Sequence, residues 1–235
     1  MNHALIAVRQ ALTGLANEEG QKAVQRYHKD DIKTLGISVP KLRELSKSWI
    51  KTMKPLGKQS CFATCDELWR TGWIEEAFLA SELVYAFRKE FEREDLARFY
   101  IWIAQHVSNW ATCDNFCNNT VGSFLMKYPE LLSTMQHWAV QDNRWLQRAA
   151  AVSLIVPARK GLFMDVGLAI ADTLLLRDDD LVQKGYGWLL KVYSKVRLDA
   201  VYAFVKARQH AMPRTALRYA IEHFPTTLRQ ELMQK

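Results

Sequence analysis

Glycine and proline are scarce in this sequence: ten and six of its 235 residues, or about 7% of the chain. An average protein has about 12% of the two together, so the composition disfavours turn-rich β architectures. No stretch reaches the ~18 consecutive apolar residues of a membrane-spanning helix, because residues 149–158, which come closest, are closed off by Pro157 and Arg159. The N-terminus has no signal-peptide pattern and is typical of the first turns of an amphipathic helix. We expect a cytoplasmic protein, in the cytosol or nucleoid of a bacterium, without membrane association.

Familiar catalytic signatures are missing too, among them nucleophile elbows, phosphate loops, zinc-protease helices and dinucleotide fingerprints. The six histidines are scattered without metal-like spacing. The four cysteines form two i,i+4 pairs, Cys61/Cys65 and Cys113/Cys117, which leaves a four-thiolate metal site open. Zinc sites more often use shorter loops and nearby histidines, so buried, reduced thiols are the favoured interpretation. We therefore predict no metal and no cofactor.

Helical periodicity is present along most of the chain. Between residues 40 and 54 the apolar positions form one helical stripe, made of Leu42, Leu45, Trp49, Ile50 and Met53. Similar stripes predict helices over residues 73–91, 93–106, 109–127, 129–140, 143–157, 162–176, 179–195, 197–208 and 213–224. Strand-like alternation is absent, so the predicted fold class is all-α.

Three helical segments resemble one another: residues 145–152, 181–188 and 211–218. Each places a basic residue near its start, and the three, Arg148, Lys184 and Arg214, are spaced by 36 and 30 residues. Such periods indicate helix-pair repeats, so we expect residues 1–235 to form one domain, a right-handed superhelical solenoid of HEAT-like repeats. The basic column would line a concave basic face and suit a phosphate backbone; alternatively, it could pair with acidic neighbours inside the solenoid.

The net charge of +7 is unevenly distributed. Residues 1–60 carry +6, residues 61–180 carry −6 and residues 181–235 carry +7. Clustered Lys and Arg side chains gain affinity for nucleic acid by releasing counterions, so the layout favours a polyanion held from two sides. A basic excess also aids solubility, and composition alone leaves both interpretations open.

Two tryptophans stand out beside charged residues. Trp110 precedes Asp114 by four positions, so one helix face presents an indole next to a carboxylate; Trp188 follows Lys184 at the same spacing. With Arg148 on an intervening repeat, these residues predict a shallow cleft. A carboxylate stabilises positive charge developing on a sugar and can orient water, and indole faces attract cations. The competing interpretation makes Asp114 a surface charge and both tryptophans packing residues.

Several motifs occur in a fixed order along the chain: Tyr27, Leu35-Gly36-Ile37-x-x-Pro40, Trp110-x-x-x-Asp114, Trp145-Leu146-Gln147-Arg148-Ala149-Ala150 and Gln183-Lys184-Gly185-x-Gly187-Trp188. In this order and spacing they resemble the AlkD-type alkylpurine DNA glycosylases, the DNA alkylation repair proteins built of HEAT-like repeats. The resemblance implies a monofunctional, metal-free enzyme of base excision repair. It would hydrolyse the N-glycosidic bond of cationic N3- or N7-alkylpurines in double-stranded DNA without flipping the base.

The resemblance also assigns roles to single residues. Asp114 resembles the catalytic aspartate, Trp110 and Trp188 the tryptophans that pack on the lesion deoxyribose, and Arg148 the arginine that holds the DNA backbone. Tyr27 falls in the N-terminal helices that members press against DNA. We expect Lys184, Arg214 and Arg218 to contact DNA as well, and the protein to act as a monomer.

Two other functions compete with this hypothesis. A non-catalytic HEAT-repeat protein could recognise damaged or branched DNA through its basic surface alone, and a protein-interaction solenoid would not bind DNA. A pure DNA scaffold has no use for a carboxylate facing phosphates, which favours the enzyme. The sequence does not rank 3-methyladenine, 7-methylguanine and bulky adducts as substrates.

Overall fold

The computed structural model describes residues 3–234, with side chains from residue 4 onward. Over this range the chain is all-α, with 3-10 turns and one π-helical segment between the α-helices. The α-helices are α1 His3–Thr13, α2 Glu18–Arg26, α3 Val39–Met53, α4 Gly57–Trp69, α5 Ile74–Ala86, α6 Asp95–His106, α7 Trp110–Phe116, α8 Gly122–Lys127, α9 Ser133–Val140, α10 Arg144–Val152, α11 Ile155–Ala158, α12 Met164–Thr173, α13 Asp180–Ser194, α14 Leu198–Arg208, α15 Arg214–Ala220 and α16 Thr226–Met233.

Local sequence signals set where several of these helices begin. The side chain of Asn17 accepts a hydrogen bond from the Gly20 amide at the start of α2 (2.6 Å). Asn143 and Asp179 cap α10 and α13, and each accepts from two backbone amides of its helix. An N-cap of this kind stabilises a helix by about 1 kcal/mol. Pro40 lies in the first turn of α3, where a missing N–H costs nothing.

The chain divides into two compact units between Phe116 and Cys117. In the first unit, α3, α5 and α7 pack side by side in that order, and α4 packs against α1, α5 and α6. Its core is aromatic: the Phe116 ring lies 5.4 Å from Trp69 and 5.7 Å from Trp102 between centroids. Helix α7, which carries the predicted catalytic aspartate, is therefore anchored by its own last residue.

In the second unit, α10, α13 and α15 pack side by side, while α9 packs on α12 and α14 packs on α13. Small residues allow this close packing, since Ala149, Ala150 and Ala151 of α10 are fully buried. The predicted all-α, helical-repeat fold is confirmed. The single domain over residues 1–235 stays a prediction.

Most predicted stripes coincide with helices, and the differences occur at breaks. The stripe over residues 109–127 is interrupted by π-helical turns over Cys117–Val121. The stripe over residues 143–157 breaks after α10, because Pro157 cannot donate a backbone hydrogen bond and its ring crowds the preceding turn. Helices α2, α4 and α16 lie outside the predicted stripes.

The four cysteines are buried as thiols, as the sequence suggested. Burial raises the pKa of the Cys65 thiol well above its usual range, and Sγ of Cys65 lies 3.7 Å from the Ala80 carbonyl oxygen. No helix within residues 3–234 is long and apolar enough to cross a membrane.

Candidate functional site

Helix α7 begins at Trp110 because Asn109 caps it. The Asn109 side chain is buried and accepts from the Thr112 amide (2.9 Å), while the Thr112 hydroxyl donates back to the Asn109 carbonyl oxygen (3.2 Å). This cap fixes Trp110 in the first turn and Asp114 one turn later on the same face. Trp110 is 36% exposed and Asp114 is half-buried. The predicted pairing of an indole and a carboxylate on one face is therefore present, with both side chains accessible to solvent.

A histidine that no sequence pattern singles out packs against this face. The His28 ring stacks on Trp110, with ring centroids 5.2 Å apart and an angle of 18° between planes. His28 follows Tyr27, the C-cap of α2, whose side chain is 79% exposed. The only available signal was its position next to Tyr27, since a residue beyond a helix end follows no periodicity.

The Leu35-Gly36-Ile37 segment wraps a buried carboxylate. Glu75 of α5, 1% exposed, accepts from the Thr34 hydroxyl (2.7 Å) and from the amides of Leu35 (3.0 Å), Gly36 (2.9 Å) and Ile37 (3.3 Å). A carboxylate held by several donors is well solvated by the protein itself. The motif residues thus fix the loop that follows Tyr27 and His28 to helix α5.

Two glycines, Gly36 in this loop and Gly20 in α2, allow the loop and the helix to lie in contact. Gly36 has a φ of +72°, and a Cβ placed on Gly20 of α2 would lie 2.0 Å from the Gly36 carbonyl oxygen. The backbones of α2 and the loop therefore touch, which no larger residue permits. This close approach holds α2, and with it Tyr27, against the loop that Glu75 fixes to α5.

In the second unit, Arg148 is buried, with 6% of its surface exposed. Its Nη1 atom donates to the Leu181 carbonyl oxygen at the start of α13. One turn earlier, Nε of Arg144 donates to the α13 cap Asp179 (2.7 Å). Arg148 therefore connects α10 and α13 in this structure, so part of its hydrogen-bonding capacity serves the fold.

Lys184 forms an ion pair with Asp180 one turn before it on α13 (3.0 Å). This contact matches the alternative in which members of the basic column pair with acidic neighbours. The two glycines that follow serve helix packing: a Cβ on Gly185 would lie 3.4 Å from Cγ of Arg148, and one on Gly187 would lie 2.8 Å from Cβ of Tyr219. These glycines therefore allow helices α10 and α15 to approach α13 closely.

The repeat register of the third segment differs from the sequence alignment. Arg148 and Lys184 each lie five residues after their N-caps, Asn143 and Asp179. The cap of α15 is Pro213, which places Arg218, and not Arg214, at the equivalent position. Arg214 donates instead to the Met233 carbonyl oxygen (3.3 Å). Arg218 is exposed and has no ion-pair or hydrogen-bond partner within residues 4–234.

The first two repeats also share a side-chain contact. Gln147 and Gln183, 36 residues apart, each donate from Nε2 to a carbonyl oxygen six residues earlier, at 2.7 Å and 2.9 Å. Leu217 occupies the corresponding position of the third segment, one residue before Arg218. The register of Arg148, Lys184 and Arg218 therefore follows from the caps, with the glutamine contact supporting the first two.

Trp188 is half-buried and lines a cavity of about 250 Å³ whose other walls are basic or aliphatic. Arg159, Lys191 and Lys195 contribute cationic side chains to it. Lys191 pairs with Glu222 (2.7 Å), and this pairing lowers the pKa of that carboxyl group. The exposed Arg159 and Lys195 have no such partner in the described part of the chain. An indole beside free cations suits a sugar-phosphate chain.

Within each unit, the structure groups the predicted residues as follows. The first unit brings Trp110, Asp114 and the neighbouring His28 together and leaves Tyr27 exposed. The second places Lys184 and Trp188 on one face of α13, with Arg148 behind Gly185. No group of three or more His, Cys, Asp or Glu side chains among the described residues could hold a metal ion.

A family model and a solved structure each match most of this chain. The model of a family described as "DNA alkylation repair enzyme" matches residues 8–224. A solved structure described as a predicted DNA alkylation repair enzyme from Enterococcus faecalis has the same fold, with a TM-score of 0.81 at 20% sequence identity. The match covers 90% of this chain and 97% of that chain. A comparison with curated proteins gives no match.

Proposed function

This chain belongs to the family of DNA alkylation repair enzymes, and on that premise we propose that it is a monofunctional DNA glycosylase. Its substrates would be cationic N3- and N7-alkylated purines in double-stranded DNA, with the base left unflipped. It would act as a monomer in the cytoplasm, as part of base excision repair. The observation that carries the proposal is the face of α7, where Asp114 lies one turn after the exposed indole of Trp110.

The reaction needs little acid catalysis. An alkylated purine already carries a positive charge, so it leaves with the electron pair of the C1′–N bond as a neutral base. Positive charge then develops on the deoxyribose, and water adds at C1′ while losing one proton to solvent or to the carboxylate. Asp114 would stabilise the sugar cation and orient this water.

The other predicted residues would hold the substrate. Trp110 and Trp188 would pack on the deoxyribose and stabilise its charge through their ring faces. Arg148, whose Nη1 atom donates to the Leu181 carbonyl oxygen in this structure, would contact the phosphate through its guanidinium group. Lys184, Arg214, Arg218 and Tyr27 would contact flanking DNA.

The magnitude expected for Asp114 follows from Coulomb's law. A carboxylate about 4 Å from a unit positive charge contributes ~4 kcal/mol at an effective dielectric constant near 20. Each ~1.4 kcal/mol is a factor of ten in rate. Asp114→Asn should therefore lower the rate of base release about 1,000-fold and leave the affinity for duplex DNA nearly unchanged.

The test is incubation of the wild-type protein and Asp114→Asn with methylated duplex DNA, followed by chromatography of the released bases. Asp142→Asn is the matched control, because Asp142 is an exposed carboxylate outside the predicted site; it should release bases at the wild-type rate. Undiminished release of 7-methylguanine by Asp114→Asn would refute the assignment. Salt-sensitive duplex binding by the wild type without any release would favour the non-catalytic DNA-binding protein.

A separate experiment tests whether the alkylated base stays stacked in the duplex. A 2-aminopurine placed beside the lesion brightens when its stacking partner leaves the helix, so its fluorescence reports flipping. We expect no increase on binding, and efficient release of bulky N7 adducts that a closed pocket would reject. A large increase would contradict this part of the proposal alone.

A further inference from the structure

The stack of His28 on Trp110 is the strongest feature of the first unit that the proposed reaction leaves unused. Its geometry is close to parallel, with 5.2 Å between centroids and 18° between planes. It covers one face of the indole, while the Trp110 side chain keeps 36% of its surface exposed. A ligand arriving from solvent must therefore use the part of the ring that His28 does not cover.

The surroundings of His28 favour its neutral form. Partial burial lowers the pKa of His28, and the charge of Asp30 on the same loop opposes this shift. Lys29 follows His28 in the chain, and Asp114 lies one helical turn beyond Trp110 on α7. The lowered pKa means that His28 is neutral at pH 7 and becomes a cation only in more acidic solution.

We propose that His28 is a positioning residue whose charge state controls Trp110: neutral, it holds the indole in place for a cationic sugar, and protonated, it becomes a competing cation on the same ring. This inference rests on the proposed function. An aromatic ring attracts cations through its quadrupole. When an imidazolium is already stacked on one face of the indole, a second cation at the same ring is bound more weakly. The two cations share the attraction of one quadrupole, and their charges repel each other.

The size of the effect follows from the usual strength of such contacts. A cation–π contact contributes a factor of roughly 2 to 30 in affinity or rate. We therefore expect the rate of base release to fall about tenfold more between pH 7 and pH 5 in the wild type than in a variant with a non-titrating aromatic ring at position 28. The uncatalysed release at each pH is subtracted.

Three variants separate charge from packing. His28→Phe keeps an aromatic ring on Trp110 but does not titrate, so it should retain the pH 7 rate within about threefold and lose the additional fall in acid. His28→Ala removes the stack and should lower the rate at every pH. The control is His137→Asn, which removes an exposed histidine of α9 and should reproduce the wild-type profile. Asp114 is unchanged in all of them.

A second measurement needs no substrate. Imidazolium in contact with indole quenches its fluorescence, so the tryptophan emission of the protein alone should fall as His28 is protonated. This component should vanish in both His28→Phe and Trp110→Phe. Its persistence in either variant, or identical activity profiles for the wild type and His28→Phe, would overturn the inference. A wild type that releases no base would refute the proposed function, whereas the fluorescence titration tests by itself whether protonated His28 contacts Trp110.

Discussion

The contact between Glu75 and the Leu35-Gly36-Ile37 loop makes a sharp prediction about stability. Glu75→Gln preserves the shape of the side chain and replaces one carboxylate oxygen by an NH₂ group. The three donors at Oε1, the Thr34 hydroxyl and the Gly36 and Ile37 amides, keep an acceptor, although a neutral one. The Leu35 amide, 3.0 Å from Oε2 in the wild type, then faces another donor.

The expected cost adds two contributions. One hydrogen bond to a charged group is lost, worth about 1.5–3 kcal/mol. The Leu35 amide is left without a partner in a partly buried site, at a cost of about 1–3 kcal/mol. If the new side-chain amide is rotated by 180°, its NH₂ group instead faces the three donors that Oε1 accepts from in the wild type. We expect the free energy of unfolding to fall by about 3 kcal/mol.

The assay is urea denaturation followed by circular dichroism, with Glu82→Gln as the control on the same helix. Glu82 is half-buried and accepts no hydrogen bond from residues 4–234. Burial raises the pKa of Glu82 in the folded state, against an opposing effect of Arg43. Its carboxyl group therefore favours folding below the unfolded pKa and loses that contribution as pH rises through the folded pKa. At pH 7 Glu82→Gln should be neutral or slightly stabilising.

The comparison refutes the reasoning if the two variants unfold at the same urea concentration. A Glu75→Gln midpoint within the equivalent of about 0.5 kcal/mol of the wild type would mean that the loop amides find other partners. A lower midpoint with an unchanged m-value attributes the loss to stability alone.

Two further predictions concern the second unit. Gly187→Ala should destabilise the protein by about 1–3 kcal/mol, because its Cβ would lie 2.8 Å from Cβ of Tyr219, whereas Gly185→Ala, at 3.4 Å or more from its neighbours, should be tolerated; thermal unfolding distinguishes the two. Arg218→Ala should lower the slope of log K for duplex DNA against log salt by about 0.9, and Arg197→Ala, whose guanidinium is ion-paired with a neighbouring carboxylate, should change it little. Equal slopes for both arginine variants would count against a DNA contact at Arg218.

The periodicity of apolar residues determined most of the helices, because a stripe every three to four residues specifies which face of a helix is buried. The stripe between residues 40 and 54 corresponds to α3, where Leu42 and Met53 are buried. Apolar periodicity does not reveal helix α2, because α2 has no buried residue. It does not reveal α16 either, because Leu232 alone is buried there. The π-helical segment after α7 also has no periodic signal of its own.

In the candidate site, too, spacing along the chain predicted some of the neighbours and only the folded structure showed the others. Spacing alone placed Trp110 and Asp114 on one face, since four residues make about one helical turn. It could not foresee that His28, more than 80 positions earlier, stacks on Trp110. Likewise, only the packing of α10 and α15 against α13 shows which neighbours Gly185 and Gly187 accommodate.

The basic residues illustrate why the remainder required a structure. A sequence specifies where charge is located along the chain, and the low glycine and proline content with helical stripes specifies the class of fold. Whether Arg148, Lys184 or Arg218 is available to a phosphate depends on which carbonyl or carboxylate lies within 3 Å of it. That is decided by neighbouring helices: Arg148 contacts α13, Lys184 pairs with Asp180, and Arg218 extends into solvent. Hydrogen bonds and ion pairs act over such short distances that only tertiary packing determines them.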